Sequence, residues 1–266
     1  MKIISSIIKS FINGFSYLVC KNKDMRKYLF TVSLKDELTT FFDNEYYRGY
    51  AHINKAISIA RKYCSTDDII IDVGGADGTT PKIFSKAFPD KMIYVFEPIN
   101  ENCIAIEKLI REYPNIRLIS KAAGSSEGKI TINKARSITS SSIFELNADK
   151  GSAVFADSLK NEGKENIELT TIDNAVPLRN TAIMKIDVQG FELEVLKGAV
   201  RILRNTKVIV LEMNNHDYYK GAPKYYEIDE YLRKNNFSIY DIFPSLKDGD
   251  RLKEWDTIYL NNIFAK

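Results

Sequence analysis

The chain has 266 residues, 44% of them hydrophobic and 27% charged, with a net charge of +3. These are the proportions of an ordinary globular protein with room for one substantial α/β core. Three widely spaced cysteines, Cys20, Cys64 and Cys103, with no C-x-x-C, exclude a disulfide scaffold or a zinc knuckle and suit a reducing cytoplasm.

Residues 1–35 hold Lys2, Lys9, Lys21, Lys23, Arg26, Lys27 and Lys35 against Asp24 alone, so the rest of the chain is slightly acidic. A general nucleic-acid surface on the remainder is therefore not expected. Residues 2–19 place apolar side chains at helical spacing, broken by Lys9, Asn13 and Gly14. The run is too polar to span a bilayer and lacks the cleavage site of a signal peptide. Two uses of residues 1–30 stand. One is docking on the chain's own domain or on a partner chain, a homodimer included. The other is lying on a membrane surface, aided by the basic cluster. Docking is the commoner use of such a stripe. Residues 34–64 continue as helix, which makes 1–64 a helical extension ahead of a domain at 65–266. His52 in this helix reads as a surface or packing histidine rather than a site residue.

Residues 68–100 are the centre of the chain: DIIIDVGGADGTTPKIFSKAFPDKMIYVFEPIN. Ile69, Ile70, Ile71 and Val73 form a short apolar run, the mark of a strand buried on both faces. A glycine turn follows, then a helix capped by Thr79 or Thr80 with Pro81 in its first turn. A second apolar run, 92–96, ends on Glu97 and Pro98. This is a βαβ unit with parallel strands. Ligands of such sheets sit at the carboxyl ends of the strands. There Glu97 can accept hydrogen bonds from a ribose, so an adenosine-type cofactor is expected. A dinucleotide turn needs G-x-G-x-x-G. This chain has instead D-x-G-x-A-x-G, with Asp72 at the strand end. That acid would repel a pyrophosphate and suit a cofactor carrying an ammonium and a sulfonium, which is S-adenosyl-L-methionine. The residues expected to hold it are Asp72, Gly74, Gly75, Ala76, Asp77, Gly78, Glu97 and Pro98.

Downstream, residues 102–113 read as helix and 116–119 as the third strand. Ala122 and Ala123 then turn the chain where small residues allow a flat ring to lie against backbone. Residues 129–133 and 168–172 read as added strands that pair, with a serine-rich loop between them. The fourth strand, 183–187, ends on Asp187, where the transferred methyl group is expected. A turn at Val188-Gln189-Gly190 leads to one helix over 192–203, and 208–212 is the fifth strand. A polar aromatic segment, MNNHDYYKGAPKYY, follows. Helix 227–235 precedes a last pair of strands, 237–243 and 257–264, joined by a loop. The order predicts a doubly wound, mostly parallel seven-stranded sheet with an antiparallel last strand.

Four segments, IDVGGADGTT at 71–80, YVFEPINEN at 94–102, SKAAGSSEGKITI at 120–132 and MKIDVQGFELEVLKGA at 184–199, resemble the FkbM-type methyltransferases, a branch of the class I S-adenosylmethionine-dependent fold. The resemblance covers about residues 66–213. It departs from the usual pattern at Gly75-Ala76-Asp77. It implies an O-methyltransferase acting on a hydroxyl of a sugar, a glycan or a related small molecule, and it places Ser141 and Ser142 near the cofactor. The other readings are a non-catalytic adenosine-cofactor-binding subunit, or an N-methyltransferase, although an N-P-P-Y-type signature is absent. An alcohol nucleophile needs a base or a metal. His216, just past the fifth strand, is the expected base, with Asp187 orienting it or the substrate. The alternative is a metal held by Asp187, Glu212 and Asn214. Gln189 and Glu192 match the signature turn, and their plain role is to cap the helix and hold Gly190.

Overall fold

The computed structural model describes residues 50–136, 141–145, 147, 161–215 and 219–265. Residues 1–49, which include the 1–30 stripe, and His216 lie outside them. Helix α1 (Ala51–Tyr63) comes first, then β1 (Ile69–Val73), α2 (Thr79–Ala87), β2 (Ile93–Phe96), α3 (Asn100–Glu112), β3 (Ile116–Ile119) and the short β4 (Ala122–Ala123). There follow β5 (Gly128–Ala135), β6 (Asn161–Thr170), α4 (Ile172–Ala175), β7 (Thr181–Ile186), α5 (Glu192–Lys197), α6 (Val200–Leu203), β8 (Thr206–Asn214), α7 (Tyr225–Lys234), β9 (Phe237–Asp248) and β10 (Arg251–Asn261).

Seven strands form one sheet in the order β3-β2-β1-β7-β8-β10-β9. The pairs from β3 to β8 are parallel, while β10 runs antiparallel to both β8 and β9. This is the sheet the sequence predicts. The parallel strands are continuous apolar runs because both faces are covered. Residues of β1 alternate between those faces. Ile69, Ile71 and Val73 join Met184, Ile186, Leu211, Met213 and Tyr259 in one core. The alternate residues of the strands, Ile70, Asp72, Ile183, Lys185, Val208 and Val210, are also buried. So two charged residues, Asp72 and Lys185, replace aliphatic ones on the second face, and the register sets them opposite each other.

A second, three-stranded sheet, β4-β6-β5, carries the added strands, which pair as expected, β5 running antiparallel to β6. Three details differ from the sequence reading. The helix expected over 192–203 is two short helices on either side of Gly198. The segment expected as a loop between the last strands is strand almost throughout: β9 and β10 extend through it and meet in a tight turn at Gly249. The cap of α2 is not a threonine either. Asp77 Oδ1 accepts the Thr79 amide at 2.9 Å, while Thr79 and Thr80 are buried. Among the described residues, no helix is long and apolar enough to cross a membrane.

Candidate active site

The turn after β1 is held on three sides. Gly74 and Gly75 donate their amides to Phe96 O, at 3.0 and 3.1 Å, which fastens the turn to the end of β2. Gly74 has φ +85°, and a Cβ there would stand 2.0 Å from the carbonyl oxygen of Asp187, so the backbones of β1 and β7 meet with no side chain between them. Glu97, buried at the end of β2, accepts the Ala76 amide through Oε2 at 2.8 Å and the Ile99 amide through Oε1 at 2.9 Å. Burial raises its pKa, and these backbone bonds together with one from Asn102 work against the rise. Glu97 thus shapes the turn as well as standing beside it, a duty that spacing alone does not reveal. Pro98 follows it half-buried, and Asp77 is exposed.

Asp72 is fully buried, and neither carboxylate oxygen has a hydrogen-bond partner among the described residues. Its counter-charge is Lys185, whose Nζ lies 3.5 Å from Asp72 Oδ1 and 3.4 Å from Asp187 Oδ2 and donates to Gly74 O at 3.0 Å. Burial pushes the Asp72 carboxyl up to about 6 despite that ammonium. Burial pulls Lys185 the other way, but Asp72 and Asp187 together more than offset it and hold the lysine charged.

Asp187 ends β7, half-exposed, and Gln189 locks it in place. Gln189 Nε2 donates to Asp187 Oδ1 at 3.1 Å and to Glu212 Oε2 at 3.0 Å, and Gln189 Oε1 accepts from the Tyr219 hydroxyl at 3.0 Å. Gln189 adopts φ +54°, an uncommon conformation for a residue with a Cβ. The strain is held by its neighbours. Ser142 Oγ donates to Gln189 O at 2.6 Å, and Glu192 Oε1 accepts the Val188 and Gly190 amides at 3.2 and 3.1 Å. Glu192 therefore fixes the turn as expected. Ser142 is buried, and its hydroxyl serves this turn and accepts the Phe144 amide, so its hydrogen bonds go to protein. Ala122 and Ala123 are buried in β4.

Asp187 and Glu212, two of the groups named for the metal alternative, both accept from the Gln189 amide nitrogen. Among the described residues, no group of three His, Cys, Asp or Glu is arranged to hold a metal.

On β10, Asp256 is paired across from Glu212. Burial first, then Asp187 and Glu254, push Glu212 well above the usual carboxylate range. Burial and Asp187 raise Asp256 to about 7, and burial raises Glu192 to about 7. Lys185 thus stands between Asp72 and Asp187, and its charge also acts on Asp256, the cross-strand partner of Glu212. Carboxyls whose folded pKa exceeds the unfolded value of about 4 bind more protons in the native state. Their contribution to stability is present below about pH 4 and is lost as pH rises through 6–7. The melting temperature of the protein without ligand is thus expected to fall between pH 5 and 7.5 at fixed ionic strength, and Asp256→Asn should flatten the fall. A melting temperature that climbs across this window would show that the cluster is already ionised at pH 5.

This sheet order, with a glycine turn after the first strand and an acid ending the second, defines the class I methyltransferase fold. The chain belongs to the FkbM methyltransferase family, whose model, the methyltransferase FkbM domain, matches residues 72–239. It is accordingly a methyltransferase. It is 22% identical to the 2-O-methyltransferase NoeI of Sinorhizobium fredii (strain NBRC 101917 / NGR234) over 232 residues, 83% of this chain and 93% of that protein. Among solved structures it resembles the methyltransferase FkbM of Methylobacillus flagellatus KT, with a TM-score of 0.48 and 15% identity over 74% of this chain and 44% of that one. It thus spans less than half the length of that protein. It also resembles the magnesium protoporphyrin IX methyltransferase of Synechocystis PCC 6803, with a TM-score of 0.46 and 10% identity over 79% and 78% of the two chains.

Proposed function

We propose that this methyltransferase uses S-adenosyl-L-methionine and methylates a hydroxyl of a sugar, a glycan or a related small molecule. The observation that carries the cofactor reading is the charge balance at the strand ends: two carboxyls, Asp72 and Asp187, flank the one ammonium of Lys185, and a further pair of carboxyls, Glu212 and Asp256, lies opposite each other on the neighbouring strands. A site with that excess favours a cationic ligand and repels a pyrophosphate. The orphaned oxygens of Asp72 and the side-chain-free cradle at Gly74 and Gly75 fit the same ligand. Residues Gly74–Gly78 with Glu97 and Pro98 would hold its adenosine part, with Ala122 and Ala123 beside the ring, and Asp187 would lie at its reactive end. When bound, the cofactor supplies an electrophilic methyl group. The chain's own task is to seat the acceptor and to take up the proton that leaves it.

The hydroxyl acceptor is supported by the relative named a 2-O-methyltransferase. An aromatic ledge near the same edge supports a sugar. Trp255, next to Asp256, meets Tyr225 edge-on with centroids 5.4 Å apart, and Tyr226 is well exposed beside them. Flat rings with one open face suit the apolar face of a pyranose.

Calorimetry tests the cofactor reading. The protein should bind S-adenosyl-L-methionine and its demethylated product, and Glu97→Ala should weaken both by about 1–3 kcal/mol through lost hydrogen bonds to a charged group. Preferential binding of NAD would sink the reading. A screen of nucleotide sugars and short oligosaccharides tests the acceptor, and transfer to amines alone would replace O-methylation by N-methylation.

A further inference from the structure

Tyr225 and Tyr226 open α7, and Glu227 fixes that first turn by accepting the Lys224 amide at 2.8 Å. The helix makes its core contacts through Ile228 and Leu232, which are buried, while Tyr225 and Tyr226 are 38% and 59% exposed. The two tyrosine rings meet edge-on with centroids 5.6 Å apart, and Tyr225 meets Trp255 of β10 edge-on at 5.4 Å. Large exposed rings set side by side are a binding surface rather than a packing need. Tyrosine joins a rigid apolar face to a polar tip, and a pyranose offers the matching pair of an apolar face and a hydroxyl rim.

This ledge is tied to the reacting end and set back from it. Tyr219 donates to Gln189 Oε1 at 3.0 Å, and a Cβ on Gly190 would lie 3.1 Å from the Ala222 side chain, so the segment leading into α7 rests on the turn after β7. Tyr225 follows Ala222 by three residues, which reach at most about 11 Å. The strand register gives the offset across the sheet. Ile186 pairs with Leu211 and Glu212 with Asp256, so Asp187, Glu212 and Asp256 fall in one row across β7, β8 and β10. Neighbouring strands lie about 4.8 Å apart, which puts β10 roughly 10 Å from Asp187. Trp255, paired with Met213, is one residue further towards the carboxyl end of β8, with Tyr225 against it.

We infer that the ledge is a second sugar subsite, and that the acceptor is a chain of at least two rings: one at Asp187 presents the hydroxyl, and the next lies on Tyr225 and Tyr226. The inference rests on the sugar reading above and narrows it. One pyranose is shorter than the roughly 10 Å between the two places. A single ring at Asp187 therefore gains nothing from the tyrosines, and a single ring on the tyrosines leaves Asp187 without an acceptor. A chain of two fills both, and the ring on the ledge holds its neighbour in place for attack. The tyrosines touch a ring that does not react, so their contact is the same before and during methyl transfer. Such uniform binding lowers KM and leaves kcat unchanged.

Trp255 is the only tryptophan of the chain, so its fluorescence reports on the ledge alone. The acceptor screen supplies the probes: each neutral disaccharide that is methylated, cellobiose and maltose being among those offered, is compared with its own monosaccharide. Added to the full-length protein without cofactor, the disaccharide should shift the emission to shorter wavelength at concentrations about tenfold below those the monosaccharide needs. Under turnover its KM should be lower by about tenfold or more. Tyr226→Ala should raise the disaccharide KM about tenfold, with kcat within about twofold and the monosaccharide KM unchanged. Tyr226→Phe keeps the ring and should behave as the wild type. Tyr226 is exposed, so neither substitution disturbs the core. Three results overturn the inference: a monosaccharide methylated with a KM no higher than that of its disaccharide, a Tyr226→Ala variant with an unchanged disaccharide KM, or a methylated disaccharide that leaves the tryptophan emission unmoved. Each can occur while a sugar hydroxyl is still methylated, so the inference can fail alone. A protein that methylates no sugar overturns the sugar reading and this inference together.

Discussion

Replacing Lys185 by Met is expected to destabilise the protein by about 3–5 kcal/mol at pH 7.5, the cost of leaving one partner of a buried ion pair without the other. The methionine keeps most of the lysine's apolar stem, so no large cavity forms and the loss is electrostatic. The ammonium lies 3.5 Å from Asp72 Oδ1 and 3.4 Å from Asp187 Oδ2, and it also donates to Gly74 O at 3.0 Å. Asp187 is half-exposed and can turn to water, but Asp72 is fully buried with no donor at its oxygens among the described residues. Without the lysine, Asp72 must take a proton to stay buried, so the deficit should narrow as pH falls towards 5. The double variant Asp72→Asn, Lys185→Met removes the stranded charge and should recover most of the loss. Urea denaturation of the four proteins reads this cycle directly. A single Lys185→Met loss under about 1 kcal/mol, or a double variant no better than the single, would show that Asp72 is neutral in the native protein for another reason.

The sheet was legible because its strands are short apolar runs ending on acids. Residues 69–73, 92–96, 183–187 and 208–212 each announce a buried parallel strand, and the D-x-G-x-A-x-G turn with Glu97 announces the ligand edge. The pairings that make that edge a site were not legible. Asp72 and Lys185 are 113 positions apart and meet only through the β1–β7 register. Gln189 gives no sign in sequence that it occupies a left-handed conformation and joins two carboxyls from adjacent strands. The contact of His52 with Asp256 was not legible because Asp256 lies in a charged stretch that looks like a loop. That stretch forms strand because β9 and β10 pair with each other as a hairpin, and the half that continues past the sheet needs no apolar alternation. The threonine caps did not form because the N-cap of α2 is Gly78, in a left-handed conformation, and Asp77 before it accepts the Thr79 amide two residues on.

The Gly74→Ala substitution tests the cradle itself. Two costs combine there. The residue sits at φ +85°, where a Cβ costs roughly 1–2 kcal/mol. The added carbon would also fall 2.0 Å from Asp187 O and 3.1 Å from Asp187 C, which is backbone and cannot swing aside. Either the turn lifts away from Phe96 O, to which Gly74 donates, or β7 retreats at Asp187 and carries the Gln189 clasp with it. Overpacking of that kind costs about 1–3 kcal/mol more. Gly249→Ala separates the two terms. Gly249 has φ +58°, but a methyl added there would meet no described atom within 4 Å, so that variant bears the conformational cost alone. Gly74→Ala should therefore be the less stable of the two by at least about 1 kcal/mol. It should also lose about tenfold or more in S-adenosyl-L-methionine affinity, while Gly249→Ala binds as the wild type does. Equal stability and equal affinity in the two variants would mean that the β1 and β7 ends part readily, and that their close approach is not what shapes the ligand's seat.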